Sequence, residues 1–267
     1  MSCRLLRAMA ACAVSGVRLG FAADVAELSE GDALDALDGL YARSLLIEVD
    51  RPARRYRLHP LLRDAAAPST QLRERHVKLV KGHLGNWEQD PLRAAEMLEE
   101  AAQALSAPDV GSEWTRMSIA ITAGNLAQAL ARLNEARDFY VWVEERADRT
   151  GNSDWLQASY GNQALILKAW GRLEEAMALH KKQEAICGEL GDRAGLARSY
   201  ANQGLISAAR AGAERRWQRA CRTGTPHVYR ARDGQGDRAR TRAARTLLAV
   251  TREQHYLQRV QRDVQIQ

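Results

Sequence analysis

The side chains able to do catalytic or metal chemistry are present in this sequence, but they are dispersed. Its six histidines form no cluster. His76 and His83 are seven apart, about two helical turns, whereas a helical metal pair needs a spacing of four. His59, in the string LHPLL, reads as a capping or packing residue. The cysteines Cys3, Cys12, Cys187 and Cys221 include no C-x-x-C pair. That argues against a disulfide framework or a zinc site and fits a reducing compartment. Ser199 and Cys187 have no evident base partner, so neither reads as a nucleophile. Glu99, Glu100, Glu174 and Glu175 read as solvated helix faces, not as a paired-carboxylate site. No G-x-x-x-x-G-K-[ST] string occurs, and no G-x-G-x-x-G follows a strand, so no loop offers backbone amides to phosphates. The expectation is a binding protein and not an enzyme, with no catalytic residue, no metal and no cofactor. What stands out instead is a pair of amides, Asn162 and Asn202, which recur in matching surroundings. A carboxamide both donates and accepts hydrogen bonds, as a peptide backbone does. Leu165 and Lys168 lie three and six residues beyond the first of them.

The elements that position these amides repeat. Ser159-Tyr160-Gly161-Asn162-Gln163-Ala164-Leu165-Ile166 returns as Ser199-Tyr200-Ala201-Asn202-Gln203-Gly204-Leu205-Ile206, an offset of 40. The same offset links Gly151-Asn152 to Gly191-Asp192, Leu156 to Leu196, and Leu133, Glu135 and Ala136 to Leu173, Glu175 and Ala176. Each unit reads as two helices. The first spans about Asp154 to Trp170 and is broken by Gly171. The second spans about Arg172 to Leu190 and is stopped by Gly191-Asp192, glycine just past a helix end being a stop signal. Ala164, Gly204 and Ala176 are placed where paired helices approach closely. Leu173, Met177, His180 and Cys187 form an apolar stripe on the second helix. No single hairpin buries its own face, so neighbours must stack.

These residues resemble the tetratricopeptide repeat family, whose pattern alternates aromatic, small and large apolar positions over two helices. Tyr160, Ala164 and Ala176 match it, as do Gly124, Ala136 and Tyr140 in the preceding unit and Tyr200 and Gly204 in the following one. Leu167, Gln163 and His180 depart from it. The 40-residue period is similar to the long-loop variety found in kinesin light chains and bacterial signalling ATPases. The resemblance covers residues 113–212. It implies that first helices line a concave groove, with Asn162, Leu165, Lys168 and Asn202 facing a protein or peptide partner. For the asparagines a second reading stands beside that one, in which they order the helix pair. An open repeat end also offers a route to oligomers.

Upstream the pattern changes. Asp32 to Leu40 is helical, with Leu34, Leu37 and Leu40 on one face. Ser44 to Val49 reads as a strand, Asp50 to Ala53 as a turn, and Arg55 to Leu58 as a return strand. Pro60 suits the first turn of a new helix. Helices followed by a hairpin suggest a winged helix, and the string from Leu37 to Arg63 is similar to the winged-helix segment of STAND or NB-ARC signalling NTPases. In that family the segment follows a nucleotide-binding domain and precedes a repeat array. With no phosphate-binding loop in the sequence, the resemblance implies a fragment lacking that domain. The predicted organisation is therefore a winged-helix-like domain at 1–68, linking helices at 69–112, repeats at 113–212 and an Arg-rich tail at 213–267. The fold class is all-α: an antiparallel helical-hairpin superhelix preceded by the small winged-helix-like domain.

Composition agrees. Hydrophobic residues make up 46% and aromatics only 6%, with strong helix formers dominant. The net charge of +6 is uneven. From Arg210 to Gln267 there are 14 Arg, 5 acids and no Lys, so the rest of the chain is net acidic. Nucleic-acid binding would rest on that tail, as a regulator joining it to the wing. The predicted helix of the wing domain carries Asp32, Asp35 and Asp38, which phosphates repel. The third repeat is expected to form its first helix through Ala209 and to fail near Gly212. Beyond it, a natural basic arm and an altered reading frame are both open, with an isolated helix at Leu247 to Val264. At the other end, Met1 to Ala23 reads as the first helix of a folded domain, with a short signal peptide as the alternative. No run of 18 apolar residues exists, so no membrane span is expected, and the expected location is cytoplasmic.

Overall fold

A computed structural model describes residues 1–107 and 110–222. The described residues are mostly helical with one small sheet, and the chain divides into two compact units, 1–126 and 127–267. Of the predicted tail at 213–267, the part from 223 onward, including the helix at Leu247 to Val264, lies outside the described residues.

In the first unit α1 (Ser2–Ala11), β1 (Val17–Arg18), α2 (Leu19–Ala26) and α3 (Glu30–Tyr41) are followed by β2 (Leu46–Asp50), β3 (Arg55–Leu58) and α4 (Pro60–Ala66). Ser29 starts α3 by accepting a hydrogen bond from the Asp32 amide at 3.1 Å, an N-cap that satisfies one of the free amides of a helix start. The buried face of α3 is Ala33, Ala36, Leu37 and Leu40; Leu34, predicted to share it, sits at its edge, half-exposed. Strand β2 begins two residues later than expected. Ser44 takes a left-handed conformation (φ 55°), and the Leu45 amide still bonds back to the Leu40 carbonyl at 3.1 Å, closing α3 first. The sheet is antiparallel in the order β1-β3-β2, with Val17 opposite Tyr56 and Leu46 opposite Leu58. Strand β1 carries too few residues for a periodic signal, so the expected single N-terminal helix resolves into two helices with a strand between them.

Helices α5 (Thr70–Leu84), α6 (Pro91–Ala94) and α7 (Met97–Ser106) belong to this same unit. Helix α5 packs on α7, α1 and α2. His76, Val77, Val80 and Leu84 form its buried face. Helix α8 (Glu113–Ala129) starts in the first unit and ends in the second.

The second unit continues with α9 (Leu133–Thr150), α10 (Ser153–Ala169), α11 (Leu173–Leu190) and α12 (Arg193–Arg222), with α10 packed on α9, α11 on α10 and α12 on α11. The 40-residue offset governs its packing. Buried Ala136, Tyr140, Val143 and Ala147 of α9 correspond to buried Ala176, His180, Gln183 and Cys187 of α11. The caps repeat too: Asn152 accepts from the Trp155 amide at 3.2 Å, and Asp192 from the Gly195 amide at 2.9 Å. Gly151 and Gly191 end α9 and α11 in the left-handed conformation. Leu173 and Met177 of the predicted stripe are only partly buried, whereas Ala164, Leu167, Ala176 and Ile206 form the apolar centre. Gly204 is not at a close approach: it is exposed, and a Cβ there would meet nothing within 4 Å.

The third unit departs from expectation. Helix α12 runs unbroken past Gly212 to Arg222. The earlier turns sit at Ala131 (φ 61°) and Gly171 (φ 80°), each followed by an ion pair, Arg132 with Glu135 and Arg172 with Glu175. At the matching places stand Ala211, Gly212 and Arg215, which cannot form that pair, and Ala213 replaces the apolar Leu133 and Leu173. With nothing to hold a turn, the backbone continues its helical ladder.

Candidate functional site

Among the described residues, two of the places where polar side chains gather in the interior bear on function. The first joins successive hairpins in the second unit. Ser159 on α10 donates from Oγ to the Tyr140 carbonyl of α9 at 2.8 Å. Gln163, one turn on, donates from Nε2 to Ser159 Oγ at 3.0 Å and to Glu144 Oε2 at 2.5 Å. Forty residues later the arrangement returns on α11 and α12. Ser199 donates to the His180 carbonyl at 2.8 Å, and Gln203 donates to Ser199 Oγ at 3.2 Å and to Glu184 Oε2 at 2.7 Å. A serine hydroxyl so placed gives its proton to a helix carbonyl and receives one from the amide, so its bonding capacity is met without water. The departure of Gln163 from the expected pattern therefore has a structural cause.

That network uses the repeated serine and glutamine and leaves out the repeated asparagine between them. Asn162 on α10 and Asn202 on α12 are half-buried, and among the described residues neither side chain makes a hydrogen bond. Leu165 and Lys168 share α10 with Asn162 and are also half-buried. Lys168 comes close enough to His180 for its charge to help lower that imidazole's pKa, after burial, the larger cause. A shallow groove of about 470 Å³ lies elsewhere, between α11 and α12. It is lined by Lys181, Glu184, Ala185, Gly188, Leu196 and Tyr200 and by none of the four predicted contact residues.

The second gathering is in the first unit, and sequence spacing did not foresee it. Cys12, the residue capping α1, His76 of α5 and Glu100 of α7 bring their ligand-type atoms within 4.8 Å of one another. All three are buried. Glu100 is thus no solvated face residue. Its Oε2 accepts from the Ala13 amide and from His76 Nε2, each at 2.8 Å. Cys12 Sγ donates to the Ala8 carbonyl at 3.2 Å. Arg63 of α4 donates to the Cys12 and Ala13 carbonyls. One signal did exist in the sequence. Glu100 stands four residues before Ala104, on the same helical face as Ala101 and Leu105, so the period places it inside. Its neighbour Glu99 faces outward and pairs with Arg55 and Ser15. His83, with no metal partner, meets the edge of Phe21, as His76 does, with ring centroids 5.6 and 5.8 Å apart.

The Cys12-His76-Glu100 group is unsuited to nucleophilic catalysis. Burial first, then the Glu100 charge, pushes the Cys12 thiol well above its ordinary pKa, so the nucleophilic thiolate is disfavoured. Cys187 is also raised, again first by burial, and Ser199 is committed to a backbone carbonyl. His59 is exposed and makes no side-chain cap at the start of α4. Among the described residues no helix is long and apolar enough to cross a membrane. No family model matches this sequence, and no curated protein matches it.

Proposed function

We propose that residues 113–212 form a tetratricopeptide-type binding module that holds a peptide or partner protein along its first helices, with Asn162 and Asn202 as backbone-reading contacts and Leu165 and Lys168 beside them. The observation that carries this reading is the division of labour inside the repeated string. Serine and glutamine at matching positions are consumed in joining hairpins, and the asparagine is not. A half-buried amide with unused donors and acceptors has a reason to be repeated if a ligand supplies its partners, because an unmet polar group in a desolvated site costs free energy. Two such amides one repeat apart suit an extended or helical segment, whose own polar groups recur along its length. We further read residues 1–68 as a winged-helix-like domain and the whole as the sensor arm of a STAND-type signalling protein in the cytoplasm, a binding role without catalysis.

Peptides selected from a random phage-displayed library against the full chain supply the probe. Binding of the best peptide is then compared in wild type, Asn162→Ala, Asn202→Ala and Ser159→Ala. Each asparagine variant is expected to weaken binding about tenfold, or ~1.4 kcal/mol, with an unchanged melting temperature. Ser159→Ala is expected to lower stability by about 1 kcal/mol and to leave binding to the folded fraction intact. Binding indifferent to both asparagines would sink the reading.

The alternative is a nucleic-acid-binding regulator. The wing arginines speak against it, since Arg51, Arg54 and Arg55 are paired with Glu48, Glu30 and Glu99. The acidic face of α3 points the same way.

A further inference from the structure

We propose that Cys12, His76 and Glu100 form a metal site that takes a zinc-type divalent ion as the first unit folds. The donor set is a thiol sulfur, an imidazole nitrogen and a carboxylate oxygen. That mixture suits zinc, whereas calcium and magnesium prefer oxygen alone. The three residues come from three different helical segments, and their ligand atoms already lie within 4.8 Å of one another. In a tetrahedral zinc shell, bond lengths near 2.0–2.3 Å place the donors roughly 3.3–3.6 Å apart. The group therefore needs at most a modest contraction at the sulfur and the parting of His76 Nε2 from Glu100 Oε2, which are hydrogen-bonded at 2.8 Å.

The surroundings hold the ligands in place. Glu100 Oε2 is oriented by the Ala13 amide at 2.8 Å, and the Cys12 and Ala13 carbonyls are gripped by Arg63. The His76 ring is set by the edge of Phe21. Such outer contacts give a metal site its affinity. A thiolate and a carboxylate together neutralise a dication in a place that solvent does not reach, beside the Arg63 guanidinium. Binding converts Cys12–SH and the aqueous ion into Cys12–S–Zn, releasing the thiol proton to solvent. His76 would coordinate through Nε2 in the neutral tautomer that carries its proton on Nδ1, in place of its hydrogen bond to Glu100. Three protein donors leave one position for a water. Burial of all three means that entry accompanies folding, so the binding free energy stabilises this unit.

The test uses the full chain, purified from zinc-supplemented cells for metal analysis and refolded from denaturant with Co²⁺ for spectroscopy. The expected results are about one zinc per chain and a thiolate-to-cobalt charge-transfer band with intense visible bands. The band should vanish in Cys12→Ser. It should persist when Cys3, Cys187 and Cys221 are all replaced by Ser, an arm that does not depend on Cys12→Ser folding. Metal-free protein that refolds in Co²⁺ with full helical content and no charge-transfer band overturns the proposal. So does a band that survives Cys12→Ser or disappears in the triple variant.

Discussion

His180 occupies in one repeat the position that Tyr140 holds in the repeat before, and the exchange makes a buried titratable site. Tyr140 finds a partner for its hydroxyl in Gln128 at 3.2 Å. The residue matching Gln128 is Lys168, a cation, and His180 Nε2 is buried with no partner while Nδ1 meets Gln183 Oε1 at 3.1 Å. Burial first, and Lys168 after it, lower the imidazole's pKa, with the Gln183 bond opposing them. The folded chain thus holds His180 neutral, while the unfolded chain takes up its proton near the ordinary value of 6.5. Stability from this site is complete above that pH and is lost as pH falls below it toward the lower folded-state pKa. Denaturant midpoints measured between about pH 7.5 and 5.5 should fall in wild type and fall less in His180→Gln. Parallel slopes in the two proteins would show that His180 does not titrate between folded and unfolded states in this way.

Each hairpin turn shows what an element needs in order to end. Ala131 and Gly171 occupy equivalent turn positions, both exposed and both left-handed, at φ 61° and 80°. An L-residue is strained there, whereas glycine is not. Apart from its chain neighbours, nothing lies within 4 Å of where a Cβ at Gly171 would stand, so its substitution carries a conformational cost alone. The two exchanges should therefore move stability in opposite directions. Ala131→Gly is expected to raise it and Gly171→Ala to lower it, each by about 1 kcal/mol. Chemical denaturation of the two variants checks the signs, and a shared sign would mean that neighbouring contacts, not the dihedral, govern the turn. The same reasoning accounts for α12. Its repeat has the residue for a turn but neither the Arg-Glu pair nor the leucine that follows it, and it stays helical to Arg222.

Across the whole molecule, charge is divided between regions. The arginines from 210 onward carry the positive balance, and the rest is net acidic. In the hairpin between β2 and β3, arginines are matched with carboxylates. Any affinity for a DNA duplex should therefore come from the terminal arginines, fall steeply between about 50 and 200 mM salt, and disappear in a chain ending at Gly212. Retention of salt-sensitive binding by that shorter chain would reassign the contact to α3 and its hairpin.

How much of this was legible in advance follows from the range of the interactions involved. The repeat, its capping residues, the α3-to-α4 segment and the candidate amides are local or periodic. Offsets within one helix decide them, so Asn162 and Asn202 could be picked out and α10 and α11 bounded to within a residue or two. Tertiary packing decided the rest. Strand β1 exists because β3 offers it a ladder. Gln163 serves the structure because Glu144 lies across the hairpin junction. Cys12, His76 and Glu100 meet although 64 and 24 residues separate them along the chain. No spacing rule reaches that far, because the only cause of their meeting is the burial of three helical faces against one another.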